Sequence, residues 1–103
     1  MAQTPRFLEI LLDEAARLRS RSPHLAEAIV AAMETAVSGG VIPVSLTTAA
    51  LIRSAEPGVW MVVDEDTCQC EGAQQHERCM HQLAWQLYTL TMDRLRQELE
   101  ELP

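Results

Sequence analysis

The chain has 103 residues and a formal net charge of −7, with eight arginines, no lysine and three cysteines. This length is typical of one domain with a modest core, and no apolar run is long enough to cross a membrane. The N-terminus lacks the charged and then apolar pattern of a signal peptide, so we expect a cytoplasmic protein whose thiols stay reduced. The acidic charge opposes direct DNA binding, because non-specific affinity for DNA comes mainly from Lys and Arg on phosphates.

Two amphipathic helices are predicted in residues 1–40, as an N-terminal helical pair. Thr4-Pro5 suits the start of the first helix, because Thr caps backbone donors and Pro fits the first turn. Ser22-Pro23 repeats this signal, Gly39-Gly40 ends the second helix, and the short break between them indicates antiparallel neighbours. In both segments apolar residues recur at three- and four-residue steps: Phe7, Leu8, Leu11, Leu12, Ala15 and Leu18, then Leu25, Ala28, Ile29, Ala32, Met33, Ala36 and Val37.

Three arginines, Arg17, Arg19 and Arg21, lie at the predicted C-terminal end of the first helix. Positive charge there complements the helix dipole. Contact with nucleic acid is the alternative interpretation. Acidic residues surround the three arginines, which favours the role in helix-end electrostatics.

The segment that follows is predicted to form a β-hairpin. Residues 50–55 and 59–63 flank Glu56-Pro57-Gly58, which has the composition of a turn. The second strand is apolar on both faces, so we expect helices to cover at least one side. Residues 41–44 are short and contain Pro43, which indicates an edge strand or an extended connector. Residues 64–67 are acidic but lack the glycine and distal glutamate of an EF-hand loop, so a solvated turn is favoured over a calcium site.

The hairpin leads into Cys68-Gln69-Cys70, and after eight residues comes Cys79-Met80-His81. Three thiolates and one imidazole make the Cys₃His ligand class that suits a structural zinc ion. Residues i and i+2 of an extended strand point to one face, so Cys68 and Cys70 can hold one ion together. The pattern therefore predicts one structural Zn²⁺ bound by Cys68, Cys70, Cys79 and His81.

Other interpretations of these residues are weaker. The segment around Gln69, Glu71 and Gly72 is too polar for a core strand in which the cysteines are only small apolar side chains. A disulfide would leave one cysteine over, in a chain that nothing marks as secreted. His76 is a possible alternative ligand to His81, but His81 has the matching one-residue offset from its cysteine and stands where a helix begins.

The arrangement C-x-C, loop, C-x-H and then a helix starting at Gln82-Leu83-Ala84 resembles the SWIM-type zinc finger. Members of that family also carry a β-hairpin before the first cysteine, so the resemblance covers about residues 51–90. It implies that Cys68, Cys70, Cys79 and His81 bind zinc, and it suggests interaction with DNA or protein. Residues 41–103 are thus expected to form the finger with its C-terminal helix, in one compact domain with residues 1–40.

A helix of about 22 residues is predicted after Cys79, because leucines mark an apolar stripe that runs nearly to the end of the chain: Leu83, Leu87, Leu90, Leu95, Leu99 and Leu102. The stripe can pack against the N-terminal helices. Its last turns could also form the seam of a homodimer, although three turns of leucine spacing are few for a coiled coil.

No catalytic arrangement is recognised in the sequence, and we expect no enzyme activity. Four protein ligands would leave zinc without the open position that a catalytic site keeps for water. The H-E-x-x-H and zinc-deaminase patterns are absent. The expected protein is an α+β domain with two N-terminal helices, a β-hairpin with a zinc knuckle, and a long C-terminal helix. Its expected function is a zinc-stabilised protein-interaction module, and the alternative is a DNA-binding finger of a DNA-associated or mobile-element protein.

Overall fold

The computed structural model describes residues 4–44, 48–54, 56–64, 67–68, 70 and 79–101. It confirms the predicted α+β fold class. In chain order the elements are helix α1 (Pro5–Arg21), a 3₁₀ turn (Pro23–Leu25), helix α2 (Ala26–Val37), strands β1 (Val41–Pro43), β2 (Ala50–Arg53) and β3 (Trp60–Val63), and helix α3 (Met80–Glu100).

The two N-terminal helices differ in how they start. Thr4 caps α1 as predicted, with its hydroxyl oxygen accepting from the Phe7 backbone N–H at 3.2 Å. Ser22 does not repeat this contact. Its backbone N–H instead donates to Leu18 at the end of α1, and its side chain makes no cap for the next element. The segment therefore begins with the 3₁₀ turn, and α2 starts only at Ala26.

The three strands form one antiparallel sheet in the order β1-β2-β3. The predicted hairpin is β2 and β3, with Gly58 in the turn at a φ of 78°, a conformation that glycine adopts without steric cost. The residues at 41–43 form an edge strand, and Pro43 is tolerated there because an edge position can lack a ladder donor.

Side chains alternate between the two faces of the sheet. The inner face carries Val41, Ile52 and Val63, all of them buried, while Ile42 and Val62 point outwards and are exposed. As expected, helices cover one side of the hairpin, and the other side is exposed.

Helix α3 runs through the centre of the molecule and contacts α1, α2 and all three strands. Its 21 residues agree with the predicted length. It buries Leu83, Ala84 and Leu87 in a core that draws on every helix and strand named above. Across the surface, Arg6 binds Glu98 through Nε at 3.0 Å, and Arg94 binds both Asp13 and Glu14, so two ion-pair groups join α1 to α3. Among the described residues, no helix combines the length and apolarity needed to cross a membrane.

Candidate metal centre

The first side of the centre is built where the chain leaves β3. Asp64 Oδ1 accepts hydrogen bonds from the backbone N–H and the hydroxyl of Thr67, at 2.8 and 3.0 Å. The Asp64 N–H in turn donates to the Thr67 carbonyl oxygen at 3.1 Å. This closed turn returns the chain so that Cys68 forms an isolated antiparallel bridge with Val63. Asp64 thus has a structural role in the acidic segment, and residues 65–66 of that segment lie outside the described residues.

The second side is the first turn of α3. Cys79 is the N-cap residue, and its Sγ accepts from the Gln82 backbone N–H at 3.4 Å. The Gln82 side-chain oxygen accepts from the Cys79 backbone N–H at 3.4 Å. This is a capping box in which a cysteine takes the place usually held by Ser or Thr. It fixes Cys79 in orientation and sets His81 in the first turn of the helix.

The four residues predicted as ligands come together at this point. Cys68 and Cys79 are buried, Cys70 and His81 are half-buried, and their potential ligand atoms all lie within 4.8 Å of one another. Nδ1 of His81 lies 3.8 Å from Sγ of both Cys68 and Cys79. A tetrahedral zinc ion with bonds of about 2.3 Å to sulfur and 2.0 Å to nitrogen would space these atoms roughly 3.5 Å apart. The two sulfur–nitrogen distances are within a few tenths of an ångström of this spacing, and the cluster could hold a metal ion.

One ring nitrogen of His81, Nδ1, faces the sulfurs of this cluster. Since Nδ1 faces the sulfurs, it is the nitrogen that could bind the ion. Nε2 is buried and has no hydrogen-bond partner among the described residues. A metal on Nδ1 leaves the proton on Nε2, where ligating histidines usually donate to an acceptor that orients the ring.

Burial changes the protonation of the metal-free cluster. It raises the pKa of the Cys68 thiol to about 12 and also raises the pKa of Cys79, because a thiolate loses hydration in the protein interior. The hydrogen bond from the Gln82 N–H opposes the rise at Cys79. Burial lowers the pKa of His81 for the same reason, which favours the neutral imidazole that a metal requires.

Of the two other histidines, only His24 lies among the described residues. It lies exposed in the 3₁₀ turn and is not part of the cluster. His76, the alternative ligand, lies outside the described residues, as do Glu71, Glu77 and Arg78 of the same loop.

Two positioning contacts were not predicted from the sequence. The sequence predicts Gln82 only as part of the start of a helix, because the usual signal of a capping box has Ser or Thr, and not Cys, three residues before the Gln. The second contact links the centre to α2, where the Thr35 hydroxyl lies 3.6 Å from Sδ of Met80, the residue between Cys79 and His81. No local pattern indicates that contact, because it joins residues 45 positions apart.

Comparison with protein-family models, with curated proteins and with solved structures found no match for this chain.

Proposed function

We propose that the chain is a small SWIM-type zinc finger protein, in which one structural Zn²⁺ shapes a module that binds another polypeptide. The observation that carries the proposal is the convergence of three sulfurs and one imidazole nitrogen within 4.8 Å. Thiolate and imidazole are ligands that zinc prefers, and four of them complete its tetrahedral shell. The ion would join the turn after β3 to the start of α3. Its role is therefore to fix the sheet against the helix.

The ligand assignment can be tested with single substitutions. Cys68→Ser, Cys70→Ser, Cys79→Ser and His81→Ala should each lose most of the zinc that the unaltered protein retains when it is purified without chelator. His76→Ala is the matched control and should keep one zinc per chain. Metal analysis by mass spectrometry that finds full occupancy in His81→Ala and loss in His76→Ala would overturn the assignment.

The outer face of the sheet supports the interaction role. Ile42, Leu51 and Val62 are aligned across the three strands, and Val62 is 65% exposed. Trp60, also exposed, lies next to them opposite Arg53. Contiguous exposed apolar surface of this kind marks binding sites on otherwise soluble domains.

Arg53 lies opposite Trp60 at one end of this face, and the charge at the other end, at Asp64, indicates the chemistry of the partner. Trp60, Val62 and Asp64 line a depression of about 410 Å³, and Glu56 is exposed in the hairpin turn. The chain as a whole is acidic, and three thiolates with one Zn²⁺ would lower its formal charge by one further unit. We therefore propose that the partner is a polypeptide segment that presents apolar side chains flanked by Arg or Lys. Opposite charges on the two surfaces would speed their encounter and fix their alignment.

The arginines give little support to DNA as the direct partner. Of the seven in the described residues, Arg6, Arg17, Arg94 and Arg96 form ion pairs with carboxylates. Arg53 donates to the Ser38 hydroxyl. Cations that are already paired and surrounded by acids release few counterions from a duplex.

The partner class can be tested by comparing the unaltered protein with Val62→Asp and with Leu12→Asp, a control that alters an exposed leucine of α1. Proteins captured from host lysate are purified and titrated against all three. Submicromolar to micromolar binding that Val62→Asp abolishes and Leu12→Asp preserves supports the proposal. Capture that requires nucleic acid, or micromolar binding of a labelled duplex at physiological salt, would contradict it.

A further inference from the structure

A second apolar surface lies at the far end of α3, about 25 Å along the helix from the metal centre at 1.5 Å per residue. Met92, Leu95 and Leu99 line a groove of about 560 Å³ between the end of α3 and the start of α1. Leu99 is 68% exposed, the largest exposed fraction among the large apolar side chains of the described residues. This groove is separate from the outer sheet face, and the inference drawn from it does not depend on zinc.

The rim of the groove carries charges of both signs. Arg6 and Glu98, which pair with each other, lie on one side, and Arg96 lies on the other. Arg96 and Glu100 follow one another four residues apart on the same flank of the apolar stripe, since that spacing returns to nearly the same helical face. Both are exposed, and within the described part of the chain the ion pair of Arg96 is a long one, 3.6 Å to Asp93.

We propose that the groove binds a second copy of this chain, with the two α3 helices packed antiparallel around a two-fold axis near residues 95–99. Such an interface is isologous, so each contact occurs twice. Leu99 of each copy enters the groove lined by Met92 and Leu95 of the other.

Charge complementarity favours a second copy of the chain as the partner that fills the groove. In an antiparallel pair the flank of one helix faces the same flank of its partner. Arg96 of each copy then lies beside Glu100 of the other, so one interface contains two pairs of opposite sign. A uniformly basic or acidic partner would meet a like charge on this rim.

Sedimentation equilibrium of the zinc-loaded protein over a wide concentration range tests the proposal. We expect a reversible monomer–dimer equilibrium. Leu99→Asp should raise the dimer dissociation constant at least tenfold, which corresponds to about 1.4 kcal/mol. Leu12→Asp is the matched control, because Leu12 is also an exposed leucine, at 52%, but lies outside the groove lining. This control should leave the equilibrium unchanged.

A charge exchange tests the orientation. Arg96→Glu should weaken association, and the double variant Arg96→Glu/Glu100→Arg should restore it. A protein that is monomeric at every concentration would overturn the proposal, as would a dimer that Leu99→Asp leaves intact. A dimer that the double variant does not restore would overturn the antiparallel arrangement. Repeating the measurement on a Cys79→Ser variant separates the two proposals, because we expect the dimer to survive loss of metal.

Discussion

Cys79 combines two roles that are usually held by different residues. Its Sγ is a candidate metal ligand, and the same atom accepts the Gln82 N–H that an N-cap must satisfy. The hydrogen bond favours the thiolate over the thiol, as does the positive end of α3. A single side chain therefore connects the start of the helix to the chemistry of the centre.

The four residues of the candidate centre could be identified from the sequence because their chemistry and spacing are both local. Cys68 and Cys70 are two residues apart in the sequence, and Cys79 and His81 lie at the N-cap and in the first turn of α3. The choice of Nδ1 in His81 could not be predicted, because it depends on where Cys68 and Cys79 meet the ring. The role of Gln82 was equally hidden, since cysteine is not among the usual N-cap residues.

The capping box gives the first prediction. Gln82→Ala removes the side-chain oxygen that accepts the Cys79 N–H and should reduce zinc affinity about tenfold, the lower end of the effect of outer-shell partners. The measurement is competition against a chromophoric zinc chelator. Gln86→Ala, one turn further along α3, is the control and should bind zinc as the unaltered protein does. Equal affinities for the two variants would show that the box has no influence on the centre.

Proton release gives the second prediction. The pKa values of Cys68 and Cys79 are raised, so both thiols are protonated at pH 7 in the metal-free protein. Each must therefore release its proton to the solvent when it binds zinc. The pKa of His81 is lowered, so this imidazole is already neutral and releases none. We expect at least two protons per zinc at pH 7, and an affinity that falls as pH decreases. Calorimetry in buffers of different ionisation enthalpy measures the number, and release of fewer than two would contradict this view.

At the scale of the elements, periodicity predicted α3 and the first helix, and the composition of the turn predicted the hairpin. The start of the second helix was predicted wrongly, because it depends on backbone contacts that a periodic pattern does not show. Ser22 has the composition of a helix start but lies at the end of α1, where its backbone is used instead. The outward face of β3 could not be assigned either, because Trp60 and Val62 are as apolar as the buried Val63.

The junction between α2 and β1 gives a prediction at this scale. A Cβ on Gly40 would lie 2.6 Å from the methyl carbon of Thr35 and 2.8 Å from its backbone oxygen. Gly40→Ala should therefore destabilise the protein by roughly 1–3 kcal/mol, the usual cost of overpacking. Urea denaturation checks this value. Gly58→Asn is the control, because Asn tolerates a positive φ in an open turn, and it should cost less than about 1 kcal/mol. An unchanged midpoint for Gly40→Ala would contradict the close approach.

At the scale of the whole molecule, the candidate centre belongs to the core. Cys68 and Cys79 are buried in the same cluster as apolar residues of α1, α2 and the sheet. The overall architecture was predictable because each element carried its own pattern. The two exposed surfaces were not, because exposure of Leu99 and Val62 depends on which elements happen to cover them.

Removal of metal gives the prediction for the whole fold. Zinc binding of about 10–16 kcal/mol in small fingers is comparable with the stability of an entire domain. The helices, however, also pack on one another, with α3 contacting both α1 and α2. A strong chelator should therefore release the hairpin and the turn at Cys68 while most helical circular dichroism remains, with hydrogen exchange locating the loss. Collapse to a random coil, or no change in either measurement, would contradict this partial unfolding.

The central claim is that Cys68, Cys70, Cys79 and His81 hold one zinc ion. X-ray absorption at the zinc edge of the purified protein tests it most directly, because it reports the number, type and distance of the ligands. We expect one zinc per chain with three sulfurs at about 2.3 Å and one nitrogen at about 2.0 Å. A shell of oxygen and nitrogen ligands, or protein that takes up no zinc with its thiols reduced, would contradict the claim.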